Sequence, residues 1–220
     1  MNRWILRHGK AATVVILAVF AWVIWRRMSA GGVQSVTLLA GTALVVWAIG
    51  TVAFIGWWPR ITVNGLKRVL TRRGVGDSGP IPVNAIRAAS ESPSQSAAGG
   101  GVLATGADDL LYVGGWVDVG AGPQVLRVPE MRGRYFSIQF TDPATGADFA
   151  YVGTRTTGSA AGRFLLCPPA WRGVTPDGTA RIDIPRRAAL LIGRVFVADE
   201  DDRPDARALA EQICLEPPAP

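Results

Sequence analysis

Histidine is almost missing from the 220 residues. The only one is His8, and cysteine occurs just twice, at Cys167 and Cys214. With no His beyond residue 8, the rest of the chain cannot assemble a Ser-His-Asp or Cys-His nucleophilic site. His-based zinc sites are excluded with them, and two cysteines cannot form a Cys-only structural site. Two thiols are also too few for a disulfide framework; they stand either as two buried thiols or as one bridge in an exported domain. The glycine clusters GVG around Gly74 and GGG at 99–101 are not followed by a strand–helix pattern, so neither is a nucleotide loop. No metal and no cofactor is expected.

Acidic residues are missing from the first 76 positions, which carry ten Arg or Lys. From Asp77 onward thirteen arginines face seventeen acidic residues, a net −4. The overall +6 therefore belongs to the N-terminal part. Phosphate binding needs a basic surface on the folded domain, so no nucleic-acid partner is expected.

Two long uncharged runs explain that asymmetry. Residues 11–25 form an apolar stretch between Lys10 and Arg26, and nothing from 28 to 59 is charged. A spanning helix needs about 20 apolar residues. The first run reaches that length only if Arg7, Lys10, Arg26 and Arg27 snorkel outward. The second ends in Trp57, Trp58, Pro59 and Arg60, which read as aromatic belt, helix stop and basic flank. The pattern predicts a two-helix transmembrane hairpin over residues 1–60, with spans at about 8–26 and 33–58. A signal peptide is the alternative for the first run, although Met28, Ser29 and Ala30 make a poor cleavage site. Residues 61–73 alternate apolar and basic positions and either lie along the membrane surface or form a solvated stop-transfer flank.

Residues 61–105 read as basic flank and linker, with a low-complexity, flexible stretch at 88–101. Residues 106–220 then show short β-like runs at 110–113, 116–119, 124–128, 134–140, 148–153, 163–167, 180–184 and 189–197. In RYFSIQF, Phe136, Ile138 and Phe140 alternate with Tyr135, Ser137 and Gln139, the period of a half-buried strand. Turn signals such as GAGP, DPATG and TPDG predict a mainly β domain, a jelly-roll-like sandwich. A short C-terminal helix is expected over 203–215, capped by Asp202.

Carboxylates and arginines carry what chemistry remains. Asp118, Asp142 and Asp183 are read either as an acid/base pair of the glycosidase type or as turn and strand-end residues. Arg134, Arg155 and Arg194 sit beside or within apolar strands. Such an Arg pairs with a buried carboxylate or presents its planar fork to an anion. Arg155 and Trp171 lie in two motif-dense loops, 153–158 and 168–173, expected to share a concavity. The candidate ligand-binding set is therefore Tyr112, Asp118, Arg134, Arg155, Trp171 and Arg194.

An ordered series of motifs runs through this region: LY at 111–112, WVDV at 116–119, GP at 122–123, VP at 128–129 and GRYFSIQFTD at 133–142. GTRTTG at 153–158, PPAWRG at 168–173 and IGR at 192–194 complete it. Over about residues 108–218 the chain resembles the domain-of-unknown-function 1254 family (DUF1254). The resemblance implies a jelly-roll-like β domain of an exported or membrane-attached bacterial protein, often fused to a second domain, with no established general activity. This chain has Ala107, Asp108 and Asp109 where the family has an Asn-rich stretch. A counterpart of the second domain is not evident, so a separately encoded partner domain or a larger membrane complex is an expected partner beside the lipid bilayer.

The functional expectation is a non-enzymatic, plasma-membrane-tethered β module that binds a partner protein or envelope ligand. The alternatives are a carboxylate-dependent hydrolase acting on a glycan or lipid-linked substrate, and an accessory subunit of a membrane complex. If both runs span, eight basic residues flank the two ends against two in the turn, placing the β domain in the cytoplasm. Family habit and a first run that does not span favour the extracytoplasmic side instead. A cysteine in place of Ser94 decides between them: it should react with an impermeant reagent only after lysis, and reaction in intact cells reverses the assignment.

Overall fold

The computed structural model describes residues 22, 25–26, 33–75, 78–89 and 107–218. The chain divides into two packing units, Met1–Trp57 and Trp58–Pro220.

Helix α1, Val33–Arg73, is 41 residues long. In the first unit its apolar side chains, Leu38, Trp47 and Ile55 among them, are exposed. Among the described residues it is the one helix long and apolar enough to cross a membrane, a property that membrane anchors and some signal sequences share. The first expected span, about 8–26, lies outside the described residues apart from Trp22, Trp25 and Arg26. The structure therefore describes one long apolar helix and not a two-helix hairpin.

In the second unit the expected helix stop at Trp57, Trp58 and Pro59 does not occur. α1 continues through Pro59, although an interior proline costs about 3 kcal/mol. The reason lies downstream. Val63, Leu66 and Leu70 are three and four residues apart, on one side of the helix, and pack with Ile81, Trp116 and Leu190. Burying one such side chain contributes roughly 1.5–3 kcal/mol, which holds residues 63–70 as helix against the sheet. The segment read as a membrane-surface strip or solvated flank is thus a packed helix. Its basic side chains Arg68, Arg72 and Arg73 stay exposed, and the Lys67 ammonium lies 4.8 Å from the Trp116 ring centroid. α1 ends where Gly74 adopts φ 88° and its N–H donates to the Leu70 carbonyl at 3.0 Å, a left-handed cap that suits glycine.

The described residues form nine strands: β1 (Ala85–Ala88), β2 (Leu110–Asp118), β3 (Gln124–Val128), β4 (Phe136–Thr141), β5 (Asp148–Gly153), β6 (Gly162–Cys167), β7 (Thr179–Asp183), β8 (Ala188–Phe196) and β9 (Cys214–Glu216). Helix α2, Arg203–Ala210, precedes β9. One sheet has the order β1-β2-β8-β4-β5 and the other β7-β6-β3-β9. The fold is mainly β, with two sheets and a short C-terminal helix. All neighbours in the first sheet are antiparallel, but β6 and β7 are parallel, a departure from the antiparallel jelly-roll pattern.

Period two sorts the core. Leu111, Val113, Val117, Ile138, Phe140, Leu191 and Val195 of the five-stranded sheet bury against Leu126, Val128, Phe164 and Leu166 of the other. Ala206 and Ala210 of α2 join the same core. The runs expected at 110–113 and 116–119 are one strand: Gly114 and Gly115 sit mid-strand because neighbours press on them. A Cβ on Gly114 would meet Val75 Cγ2 at 2.2 Å, and one on Gly115 would meet the Ala85 carbonyl oxygen at 2.8 Å. β1 adds an edge strand from before the linker. The C-terminal helix stops at Ala210 rather than 215, because Cys214, Leu215 and Glu216 pair with β3. Both cysteines are free thiols. Cys214 is paired with Arg127, while Cys167 lies beyond the Gln124 end of β3 and across it. That is a separation of roughly 15 Å at strand spacings, too far for a bridge.

The buried Leu70 gives the helix contact a direct measure. Leu70→Ala should destabilise the domain by about 3 kcal/mol in denaturant unfolding followed by tryptophan fluorescence. A change below about 1 kcal/mol would mean that residues 58–73 do not depend on this packing.

Candidate functional site

The outer face of the five-stranded sheet has two halves. One is covered by α1, where Val63, Leu66 and Leu70 meet Trp116, Leu190 and Ile192. The other carries polar groups. Tyr112 is the register partner of Arg194, Arg194 of Ser137, and Ser137 of Gly153. The next row holds Ile192, Gln139 and Tyr151.

These side chains form a connected network. Arg194 Nη1 donates to Gln139 Oε1 at 3.3 Å. Gln139 Nε2 donates to Asp148 Oδ1 at 2.9 Å. Thr141 Oγ1 donates to the same oxygen at 2.7 Å, and Tyr151 OH donates to Asp148 Oδ2 at 2.7 Å. That hydrogen bond to Asp148, with some burial and the carboxylate's charge, pushes the Tyr151 phenol above its ordinary value, while Arg194 opposes the shift. Asp148 reaches this face through a β-bulge. Thr141 pairs with Asp148 but Phe140 with Ala150, so Phe149 is an extra residue. The bulge moves Asp148 onto the side that Tyr151 occupies.

Arg194 differs from its peers. Three arginines of the β domain are half-buried: Arg134, Arg194 and Arg203. Arg134 pairs with Asp202 and Arg203 with Glu200. Among the described residues no carboxylate lies within ion-pair distance of Arg194, whose side-chain partner is the neutral Gln139 amide. Tyr135 and Phe196 extend the face beyond Arg194, joined by the Phe196 N–H bond to the Tyr135 carbonyl at 3.0 Å. Tyr135, Tyr151 and Phe196 are all exposed.

Of the expected site residues the structure brings together Tyr112 and Arg194, sets Arg155 at the Tyr135 edge of the same face and scatters the others. Arg155 stacks over Tyr135, 5.7 Å from its ring centroid. Trp171 packs on Val125, Leu165 and Cys167 on the outer face of the other sheet, with Arg181 5.2 Å from its ring centroid. Burial pushes the Cys167 thiol up, which keeps it protonated and unreactive. Loops 153–158 and 168–173 lead into the start and out of the end of β6, so they sit at opposite ends of one strand. The shared concavity expected for Arg155 and Trp171 is not formed.

Each carboxylate considered for catalysis has its own arginine. Asp118 accepts from Arg187 Nε at 3.0 Å and from the Gly120 N–H at 2.8 Å. Burial pulls its pKa up, but these bonds outweigh it and leave the group below the usual range. Asp142 accepts from Arg186 and from its own turn at Ala144 and Thr145. Asp183 accepts from Arg181 two residues away. Among the described residues no three His, Cys, Asp or Glu gather closely enough to hold a metal ion. Sequence reasoning missed Gln139, Asp148 and Tyr151 as site residues. The alternation of RYFSIQF had already put Ser137 and Gln139 on the outer face; the bulge gives no such signal.

The model of a family described as "Protein of unknown function (DUF1254)" matches residues 83–217, more than half of the chain. The chain belongs to the DUF1254 family. The VPA0106 protein from Vibrio parahaemolyticus has a similar fold, at TM-score 0.56 and 22% identity, over 75% of this chain and 36% of that one. The DUF1254 chain thus spans about a third of that protein's length. A protein from Burkholderia cenocepacia, described as uncharacterized, aligns over 61% of this chain and 34% of its own at 11% identity and TM-score 0.37. No curated protein matches the chain.

Arg134 holds this DUF1254 domain together. Its Nη1 and Nη2 donate to the two oxygens of Asp202, and Nη1 also reaches the Phe196 carbonyl at 2.8 Å. This ties the start of β4 to the end of β8 and the start of α2. Asp202 makes no side-chain cap to α2; Arg134 and the Ala198 N–H take its oxygens instead. The Arg134 bonds, then the Ala198 bond, lower the Asp202 pKa to about 2. A lowered carboxylate pKa stabilises the fold above the unfolded-state value near 3.8 and is lost as pH falls toward 2. Asp202→Asn should therefore cost about 1–2 kcal/mol at neutral pH, and the gap to wild type should close between pH 4 and 2 in thermal unfolding. A pH-independent gap would show that the ion pair is not its source.

Proposed function

We propose that this DUF1254 protein is a membrane-anchored, non-enzymatic binding module that takes an anionic envelope ligand on the polar half of the outer face of its five-stranded sheet. One observation carries the reading: Arg194 is half-buried on that face, and among the described residues it is the half-buried arginine of the β domain without a carboxylate. A guanidinium withdrawn from water and bonded to a neutral amide gains most from an incoming anion. The separate arginine pairing of Asp118, Asp142 and Asp183 favours binding over carboxylate-dependent hydrolysis. The anchor is α1. If the first hydrophobic run also spans, the distribution of basic residues places the β domain at the cytoplasmic face of the plasma membrane.

Arg194→Ala tests this. Anions that copurify with the wild-type protein from membranes, identified by mass spectrometry, should fall about tenfold in the variant, the loss of one charge-assisted bond. Stability should change by less than about 1 kcal/mol, as for an exposed-face substitution. Equal recovery of anions, or parallel loss of folding and recovery, would defeat the proposal.

A further inference from the structure

Beside Arg194 a small cleft opens between α1 and the sheet. Its volume is about 30 Å³, and its walls include Leu66, Leu70, Val75, Tyr112, Gly114 and Ile192. Nearly all of its lining is apolar. Two walls lead directly to the unpaired arginine. Ile192 is two residues before Arg194, on the same strand face, and Tyr112 is its cross-strand partner. The guanidinium-bearing strand position is therefore roughly 7 Å from the cleft wall, two residues along a strand.

The recess has room for about one or two methylenes, and the cation on the same strand face supplies a partner for a charged head group. We infer that the ligand is a single-chain anionic amphiphile, a carboxylate on an alkyl tail, with the end of its apolar part in the α1–sheet cleft and its head group on Arg194. This rests on the anion-binding reading of the same face and adds the apolar half of the ligand. Charge complementarity favours a monoanion. Asp148 is on the same face, bonded to the Gln139 amide that Arg194 also touches, and its charge opposes a second negative charge on the head group. The cleft is bounded by Leu66 and Leu70 of α1 itself, the helix whose earlier residues are long and apolar enough to cross a bilayer, so a molecule held in lipid is the natural source.

The test is calorimetric titration of the full chain, held in amphipol, with butyrate, hexanoate, octanoate and octyltrimethylammonium. Each methylene buried in the cleft should tighten binding about fourfold. Octanoate should bind about tenfold or more tightly than butyrate, and octyltrimethylammonium should bind much more weakly. Arg194→Gln should weaken octanoate about tenfold, and Leu66→Trp, which fills the cleft, should bring octanoate to the butyrate level. The chain-length series on the wild-type protein stands even where Leu66→Trp does not fold. Equal binding of butyrate and octanoate, both sensitive to Arg194→Gln, would overturn the amphiphile and leave the anion site. Octanoate binding indifferent to Arg194→Gln, or matched by the cation, would overturn both readings as plain apolar adsorption. No binding of any carboxylate would overturn both as well.

Discussion

The contact of Val63, Leu66 and Leu70 with Trp116, Leu190 and Ile192 sets the terms for the rest of the β domain. A two-sheet sandwich usually buries one face of each sheet and leaves the other to water. Here the central strands β2 and β8 are buried on both faces where α1 lies, which is why residues 111–117 are buried without a break. The same contact requires glycine at position 114, where Val75 comes closest. It also requires residues 63–70 to be helical. Pro59 in turn lies against the turn that follows β4: a Cβ on Gly146 would be 2.9 Å from Pro59 Cβ, and Arg60 Nε donates to the Ala144 carbonyl at 3.0 Å. Gly146, at φ 72°, serves both the turn and this approach.

Where the pattern was local, the sequence could be read. The alternation of RYFSIQF assigned Phe136, Ile138 and Phe140 to the core and Ser137 and Gln139 to the outside, as the burial of β4 bears out. Strands β3 and β5 have the bounds that their turn signals mark. What failed depended on partners far along the chain. The apolar positions of residues 63–70 looked like a membrane flank because the sheet that covers them begins at residue 85. A strand buried on both sides has no period, so β2 read as two pieces broken at Gly114 and Gly115. Arg134 and Asp202 are 68 residues apart, and so the arginine looked as available as Arg194. Tyr112 entered with the LY pair of the family resemblance, and the place of Arg194 within an apolar strand was legible. Asp148 was not, because a one-residue bulge changes its face without changing its neighbours.

Charge is distributed in the domain by a simple rule that has one departure. A guanidinium taken partly out of water needs a compensating group, and an adjacent carboxylate is the strongest available. Arg134 and Arg203 follow the rule, and the more exposed Arg181, Arg186 and Arg187 have carboxylates too. Arg194 departs from it although Asp148 is on the same face. Asp148 is instead occupied by Tyr151, Thr141 and Gln139.

Gln139 explains how that arrangement is held. Asp148 can only accept, and the Arg194 guanidinium can only donate. The amide between them therefore has a single sensible orientation, its nitrogen toward Asp148 and its oxygen toward Arg194, as the two bonds at 2.9 and 3.3 Å require. Gln139 spaces the charges apart and prevents the short ion pair that would otherwise neutralise the face. An anion arriving at Arg194 meets a guanidinium with one long bond to a neutral acceptor and no carboxylate pair to break. An anion adds Coulombic attraction to the hydrogen bond, which a neutral amide cannot. Pairing Arg194 directly with Asp148 would remove the advantage, which makes the glutamine spacer the feature that keeps this arginine available.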